Sequence, residues 1–93
     1  MGRLIFQRGD YYEGEFDNNI ANGFGKYVSK EGDIYVGNWV NNVQQGKGEL
    51  VLKDGSRYFG EFRNNMKNGK GRIVWKDSSF YEGEFVDGFS LPL

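Results

Sequence analysis

Cysteine, histidine and threonine are absent from the 93 residues, and proline occurs once. Without cysteine there is no disulfide staple, no thiolate nucleophile and no sulfur ligand for zinc. Without histidine there is no imidazole ligand and no side chain whose ordinary pKa suits general-base work near pH 7. No acidic loop has the spacing of a calcium site. An excess of charge of one sign is missing too: 12 Lys and Arg oppose 13 Asp and Glu, a net charge of -1. No global field therefore recruits nucleic acid or anionic membrane. Long apolar runs are lacking, which excludes a signal-peptide core or a spanning helix within this sequence and makes a soluble cytoplasmic chain the expectation.

Glycine and aromatics are what the chain has in abundance, with 15 glycines and an aromatic share of 17%. That much strand-forming apolar area argues against disorder, and the length allows one domain. The two residue types recur in phase. Tyr12-Glu13-Gly14-Glu15-Phe16 returns as Tyr35-Val36-Gly37-Asn38-Trp39, Tyr58-Phe59-Gly60-Glu61-Phe62 and Tyr81-Glu82-Gly83-Glu84-Phe85, each copy 23 residues after the last. A fixed period of this size marks an array whose units cannot bury an apolar face alone and must stack. Counted from Gly2, the units are 2–24, 25–47, 48–70 and 71–93, together one domain over residues 1–93.

The repeated word predicts a strand, because Tyr58, Gly60 and Phe62 alternate onto one face. In a helix the aromatics would scatter around the axis and the glycine would cost about 1 kcal/mol. The recurring glycine is expected to leave a notch for an aromatic ring from an adjacent strand. Apolar runs such as Leu4-Ile5-Phe6 and Leu50-Val51-Leu52 predict a preceding strand in each unit. Lys53-Asp54-Gly55-Ser56 and its counterparts predict the hairpin turn between the two. Ser78 stands in the glycine column of the fourth turn, which is expected to be looser, or strained if φ is positive there. After the second strand, Asn18-Asn19, Asn41-Asn42, Asn64-Asn65 and Asp87-Gly88 predict a positive φ at the second position of each pair. A connection through Gly-x-Gly then leads to the next unit. In the last unit Leu91-Pro92-Leu93 replaces this pattern, and Phe89, Leu91 and Leu93 are expected to cover the final hairpin.

Tyr-x-Gly-x-aromatic, the Asn-Asn or Asp-Gly pair, Gly-x-Gly and Asp-Gly, recurring in register, resemble the MORN repeat (membrane occupation and recognition nexus) over essentially the whole chain. The resemblance implies an all-β fold: a single elongated twisted antiparallel sheet of successive β-hairpins, four 23-residue repeats, with a groove along it. It also implies a scaffold associated with the cytoskeleton or a membrane. The chain departs from the family in carrying asparagine where glycine is usual after the second strand, and Asn22, Gln45 and Asn68 where histidine is frequent. Eight strands at about 4.8 Å spacing would extend about 40 Å.

Candidate sites follow from the two faces. Tyr12, Tyr35, Tyr58 and Tyr81, with Phe16, Trp39, Phe62 and Phe85, form two aromatic rows lining the groove, chiefly as core and secondarily as anchors for a peptide or helix of a partner. On the opposite face Ile34, Val36, Val40 and Phe59, joined by Val28 and Val51, form an apolar patch at units two and three, rimmed by charge at both ends and suited to a protein partner. The open edges near Gly2 to Phe6 and Tyr81 to Val86, like the outer patch, also offer a route to a homodimer. Lys30, Lys53 and Lys76 form a column at the hairpin turns for acidic lipid headgroups, opposed by Glu31, Asp54 and Asp77. Gly46-Lys47-Gly48 is no phosphate loop, since neither Ser nor Thr follows the lysine. Glu15, Glu61 and Glu84 read as a solvated face. No cofactor, metal or nucleic acid is expected. The sequence points to a non-catalytic protein-protein interaction or scaffolding module, either a small subunit or a segment of a larger protein. The alternatives are a peripheral membrane adaptor for acidic phospholipid headgroups and an accessory domain of a larger enzyme such as a lipid kinase or lysine methyltransferase.

Overall fold

The computed structural model describes residues 2–6 and 8–90, with the side chains of residues 89 and 90 left aside. Nine strands follow one another in the order of the sequence, each antiparallel to the last: β1 (Gly2–Ile5), β2 (Tyr11–Asp17), β3 (Ile20–Val28), β4 (Ile34–Val40), β5 (Val43–Val51), β6 (Arg57–Arg63), β7 (Met66–Val74), β8 (Phe80–Val86) and β9 (Phe89–Ser90). This is the expected all-β array of hairpins in a single sheet. Its longest dimension is 39 Å. The ninth strand exceeds the expected eight because the chain turns back after Asp87-Gly88 and pairs Phe89 with Val86. Leu91 and Leu93, part of the expected cover, lie outside the described residues.

Strands β3, β5 and β7 differ from the expectation. Gly-x-Gly is not a connection between units but the middle of a nine-residue strand, so a unit boundary at 24/25 falls inside β3. Between the pairs Gly14↔Gly25 and Phe16↔Ala21, the single residue Glu15 faces three residues, Asn22, Gly23 and Phe24. The same bulge recurs at Asn38 and at Glu61. Gly23, Gly46 and Gly69 take φ of 105°, 88° and 97° within these bulges, which glycine alone adopts without a Cβ penalty. Bulges bend a sheet and raise its twist. One in each of the pairs β2–β3, β4–β5 and β6–β7 bends and twists the single layer.

Two turn chemistries alternate. At the Asn-Asn pairs both residues have positive φ, 49–52° at the first and 66–68° at the second, the two-residue type I′ geometry that matches strand twist. The expectation named only the second. Asn42 also bonds twice to β3: its N–H donates to Ala21 O at 2.9 Å and its Oδ1 accepts from Ala21 N–H at 2.7 Å. Asn65 repeats both bonds with Gln44. At the other end of each hairpin, Gly32 N–H donates to Ser29 O and Ser29 N–H to Asp33 O, a three-residue loop closed by a left-handed glycine. Ser78 holds φ at 75° and keeps the same bonds to Trp75, so this turn is strained, not looser.

The core is the aromatic face. Tyr12, Ala21, Tyr35, Trp39, Tyr58, Phe62, Ile73 and Phe85 are buried, with Phe16, Tyr27, Leu50 and Tyr81 packed against them. Three of the repeat tyrosines sit edge-on between the aromatic of their own unit and that of the next: Tyr12 touches Phe16 and Trp39, Tyr35 touches Trp39 and Phe62, and Tyr58 touches Phe62 and Phe85, with centroids 4.9–5.3 Å apart. Such edge contacts contribute about 1 kcal/mol each beyond area burial. They run without a break from unit to unit.

The notch expected at Gly60 has a different cause. A Cβ there would lie 2.5 Å from the Cα of Gly71 across the ladder, 2.6 Å from Lys70 O and 2.8 Å from the hydroxyl of Tyr58 on its own strand, so the adjacent strand excludes it with backbone and not with a ring. The ring fills the notch at the partner position instead: a Cβ on Gly71 would meet the Cε1 and Cζ of Tyr58 at 2.5 Å. The paired glycines let the strands approach and the tyrosine lie flat across them.

Candidate functional site: the outer face of the sheet

Each of the proposed groove aromatics is already engaged within the sheet. Tyr12, Tyr35, Trp39, Tyr58, Phe62 and Phe85 are buried and Tyr81 is half-buried. Their polar atoms are also committed, since the hydroxyls of Tyr12, Tyr35, Tyr58 and Tyr81 donate to the carbonyls of Glu15, Asn38, Glu61 and Glu84. Burial pushes the Tyr35 and Tyr58 hydroxyls up to about 12, well above the phenol range. Trp39 Nε1 donates to Gly25 O at 3.2 Å. These rings brace the fold and leave little surface for a partner.

The glutamate column is not simply a solvated face. Glu15 Oε1 accepts the N–H of Phe24 at 2.5 Å and Glu61 Oε1 that of Lys70 at 2.8 Å, closing the bulges opposite them. In unit two, Asn38 Nδ2 donates to Lys47 O instead. Periodicity marked this column as repeated, but the bulge that gives it work is invisible without the register.

A concavity of about 490 Å³ opens at the first unit, between Phe6, Arg8, Tyr27 and Asn42. Beside it Asp10 is buried, its Oδ2 accepting from Tyr27 Oη at 2.6 Å and from Arg8 Nε at 2.8 Å, while Oδ1 has no partner. Burial raises the Asp10 pKa, and the Tyr27 and Arg8 hydrogen bonds outweigh it, leaving the carboxyl below its ordinary value.

The outer face is where exposed apolar surface collects. Of the nine large hydrophobic residues exposed among the described residues, seven point outward: Ile5, Phe24, Val40, Phe59, Met66, Phe80 and Val86. Phe59, 67% exposed, stands between Glu49 and Arg72 in the ladder, above a concavity of about 850 Å³ that extends from β5 to β8. Ile34 lies directly between Val28 and Val51, all half-buried, and Val36 between Lys26 and Glu49. The sheet thus brings Ile34 and Val36 together, places Phe59 two strands away, and leaves Val40 near the Asn41-Asn42 turn beside Val43.

The patch differs from the expectation in extent. It is not confined to units two and three or rimmed by charge at its ends. The row that holds Ile34 continues through Val51, Arg57 and Val74 to Phe80, whose ring lies 4.7 Å beneath the Arg72 guanidinium. Arg57 interrupts this row and pairs with Glu49 of the adjacent row across 3.4 Å, and in that adjacent row Arg3 pairs with Glu13 across 3.4 Å. The valine column of the first strands was the available signal, since Val74 belongs to it as plainly as Val28 and Val51.

Lys30, Lys53 and Lys76 are exposed at successive turns. The Lys30 and Lys53 stems pass over the glycine turns of the preceding units, 3.7 and 3.8 Å from where a Cβ on Gly9 and Gly32 would be. Ser56 hydrogen bonds, and after them the charge of Lys76, hold the Asp54 carboxyl below its usual range. Among the described residues no three acidic, histidine or cysteine side chains gather as a metal site would require.

The family model for the MORN repeat matches residues 12–34, 35–57, 58–80 and 81–90, keeping the 23-residue period and opening each unit on its tyrosine. A comparison with curated proteins gives no match.

Proposed function

Because the chain belongs to the MORN repeat family, we propose that it is a non-catalytic module that binds protein through the face opposite its aromatic rows. The concentration of seven of nine exposed large hydrophobic residues on that face carries the reading. Scattered apolar side chains are ordinary on any surface, but their concentration on one side of a thin sheet, with Val28, Ile34 and Val51 side by side in the ladder, supports an interaction site. Acid-base chemistry has little support, with Glu15 and Glu61 engaged on backbone N–H groups. A membrane-surface role has less support than protein binding, because Glu31, Asp54 and Asp77 follow Lys30, Lys53 and Lys76 at the turns and no basic stripe forms there.

A photo-crosslinking side chain at position 59 tests the reading against one at position 53 on the turns. Protein adducts formed from position 59 and not from 53 are the expected result. Adducts from neither position, together with sedimentation on anionic vesicles that Lys30→Glu and Lys53→Glu abolish, would replace it with the membrane reading.

A further inference from the structure

We infer that the occupant of the outer face is a second copy of this chain, related by a two-fold axis that runs parallel to the strands between β4 and β5. The inference rests on the reading of this face as a protein-binding surface and names its partner. Rotation about that axis keeps each cross-strand row facing the same row and reverses the order of strands, so β1 meets the partner's β8 and β3 its β6.

The charge pattern selects this arrangement. In the row that follows the tyrosines, Arg3 comes over Glu82, Glu13 over Arg72, Lys26 over the ring of Phe59, and Val36 over Glu49. In the next row Ile5 comes over Phe80, Tyr11 over Val74, Val28 over Arg57, and Ile34 over Val51. Neither row sets like charges opposite each other, and the one ring that meets a lysine does so as a cation-π pair. Stacking without reversal gives the opposite result. A two-fold axis set across the strands along this row would place each strand on its own copy, with Arg3 on Arg3, Glu13 on Glu13 and Arg72 on Arg72. Isologous interfaces need this kind of self-complementarity, residue i meeting j and j meeting i.

Size and shape agree. The two longer dimensions of the molecule, 39 and 23 Å, bound a rectangle of about 900 Å², the same order as the roughly 800 Å² that each partner buries in a standard interface. The concavity on this face lies over β5 to β8 and would receive the partner's β1 to β4, which carry the protruding Ile5 and Phe24, 68% and 57% exposed. Twisted sheets stack face to face in this way in β-sandwiches. The alternative route through the sheet edges is poorly provided among the described residues: β1 has four residues and β9 two, lengths that limit strand addition.

Sedimentation equilibrium on the full chain, with a charge-reversal cycle, tests the proposal. The unmodified chain is expected to be a dimer in the micromolar range. Glu13→Lys alone and Arg72→Glu alone should each weaken the dimer tenfold or more, and the double variant should recover most of the loss, since the two positions face each other across the axis. Near-UV circular dichroism of the aromatic rows checks that every variant is folded. A folded monomer at 100 micromolar (about 10⁻⁴ M, weaker than specific dimers) would overturn the proposal while leaving a different protein partner open to the crosslinking experiment. A dimer indifferent to both single changes, or folded single variants that the double fails to rescue, would overturn it as well.

Discussion

Gly71 and Ser78 show opposite ways in which one residue sets the stability of this sheet. A methyl group on Gly71 would overlap the Tyr58 ring at 2.5 Å, and that ring is held on both sides by Phe62 and Phe85. Neither ring nor strand can yield without opening the aromatic contact chain. Gly71→Ala is expected to destabilise by about 2–4 kcal/mol, read from a urea melt; a loss under 1 kcal/mol would show that the ring moves aside at little cost. Ser78 holds φ at 75° where the other units have glycine. The left-handed region costs a side-chain-bearing residue about 1–2 kcal/mol, partly offset by glycine's greater freedom when unfolded, so Ser78→Gly should stabilise by about 0.5–1 kcal/mol. An unchanged melting temperature would mean the turn relaxes around serine.

Strands and turns were legible in the sequence where their rule is local, and illegible where it depends on what lies across the ladder. Alternation of Tyr58, Gly60 and Phe62 gave the strand, and the Asp-Gly and Asn-Asn pairs gave the turns. Gly-x-Gly misled, because a glycine in a bulge and a glycine in a connection have the same local signature. Only the register shows that one residue on β2 faces three on β3. The same blindness assigned Glu61 to solvent and confined the apolar patch to two units, although Val74 and Phe80 extend it in the ladder. The bulge makes its own prediction. Glu61 Oε1 satisfies the Lys70 N–H, so Glu61→Ala should cost about 1 kcal/mol. Glu61→Gln, which keeps an acceptor of the same reach, should cost less than half of that in the same melt. Equal losses would assign the effect to something other than this bond.

At the scale of the whole molecule, an edge-to-face ring chain that links every unit to the next makes the array nearly one-dimensional, each unit held by its neighbours and by nothing further away. The tyrosine of one unit meets the aromatic of the following unit with centroids 5.2, 4.9 and 4.9 Å apart at the three junctions, so the junctions are close to interchangeable. Deleting residues 37–59, one full period cut inside equivalent strands, joins Val36 to Gly60 and preserves the alternation of Tyr35, Gly60 and Phe62. This shortened chain should fold cooperatively, with a melting temperature below the parent's and a urea m-value lower by about a quarter, in proportion to the surface removed. Deleting residues 37–58 removes one residue fewer and keeps Phe59 in the joined strand. Tyr35 and Gly60 then face opposite sides, and every residue beyond the junction changes face. No cooperative transition is expected from that chain. If the two deletions melt alike, the phase of the repeat is not what holds this sheet together, and the ring chain is a consequence of the fold instead of its cause.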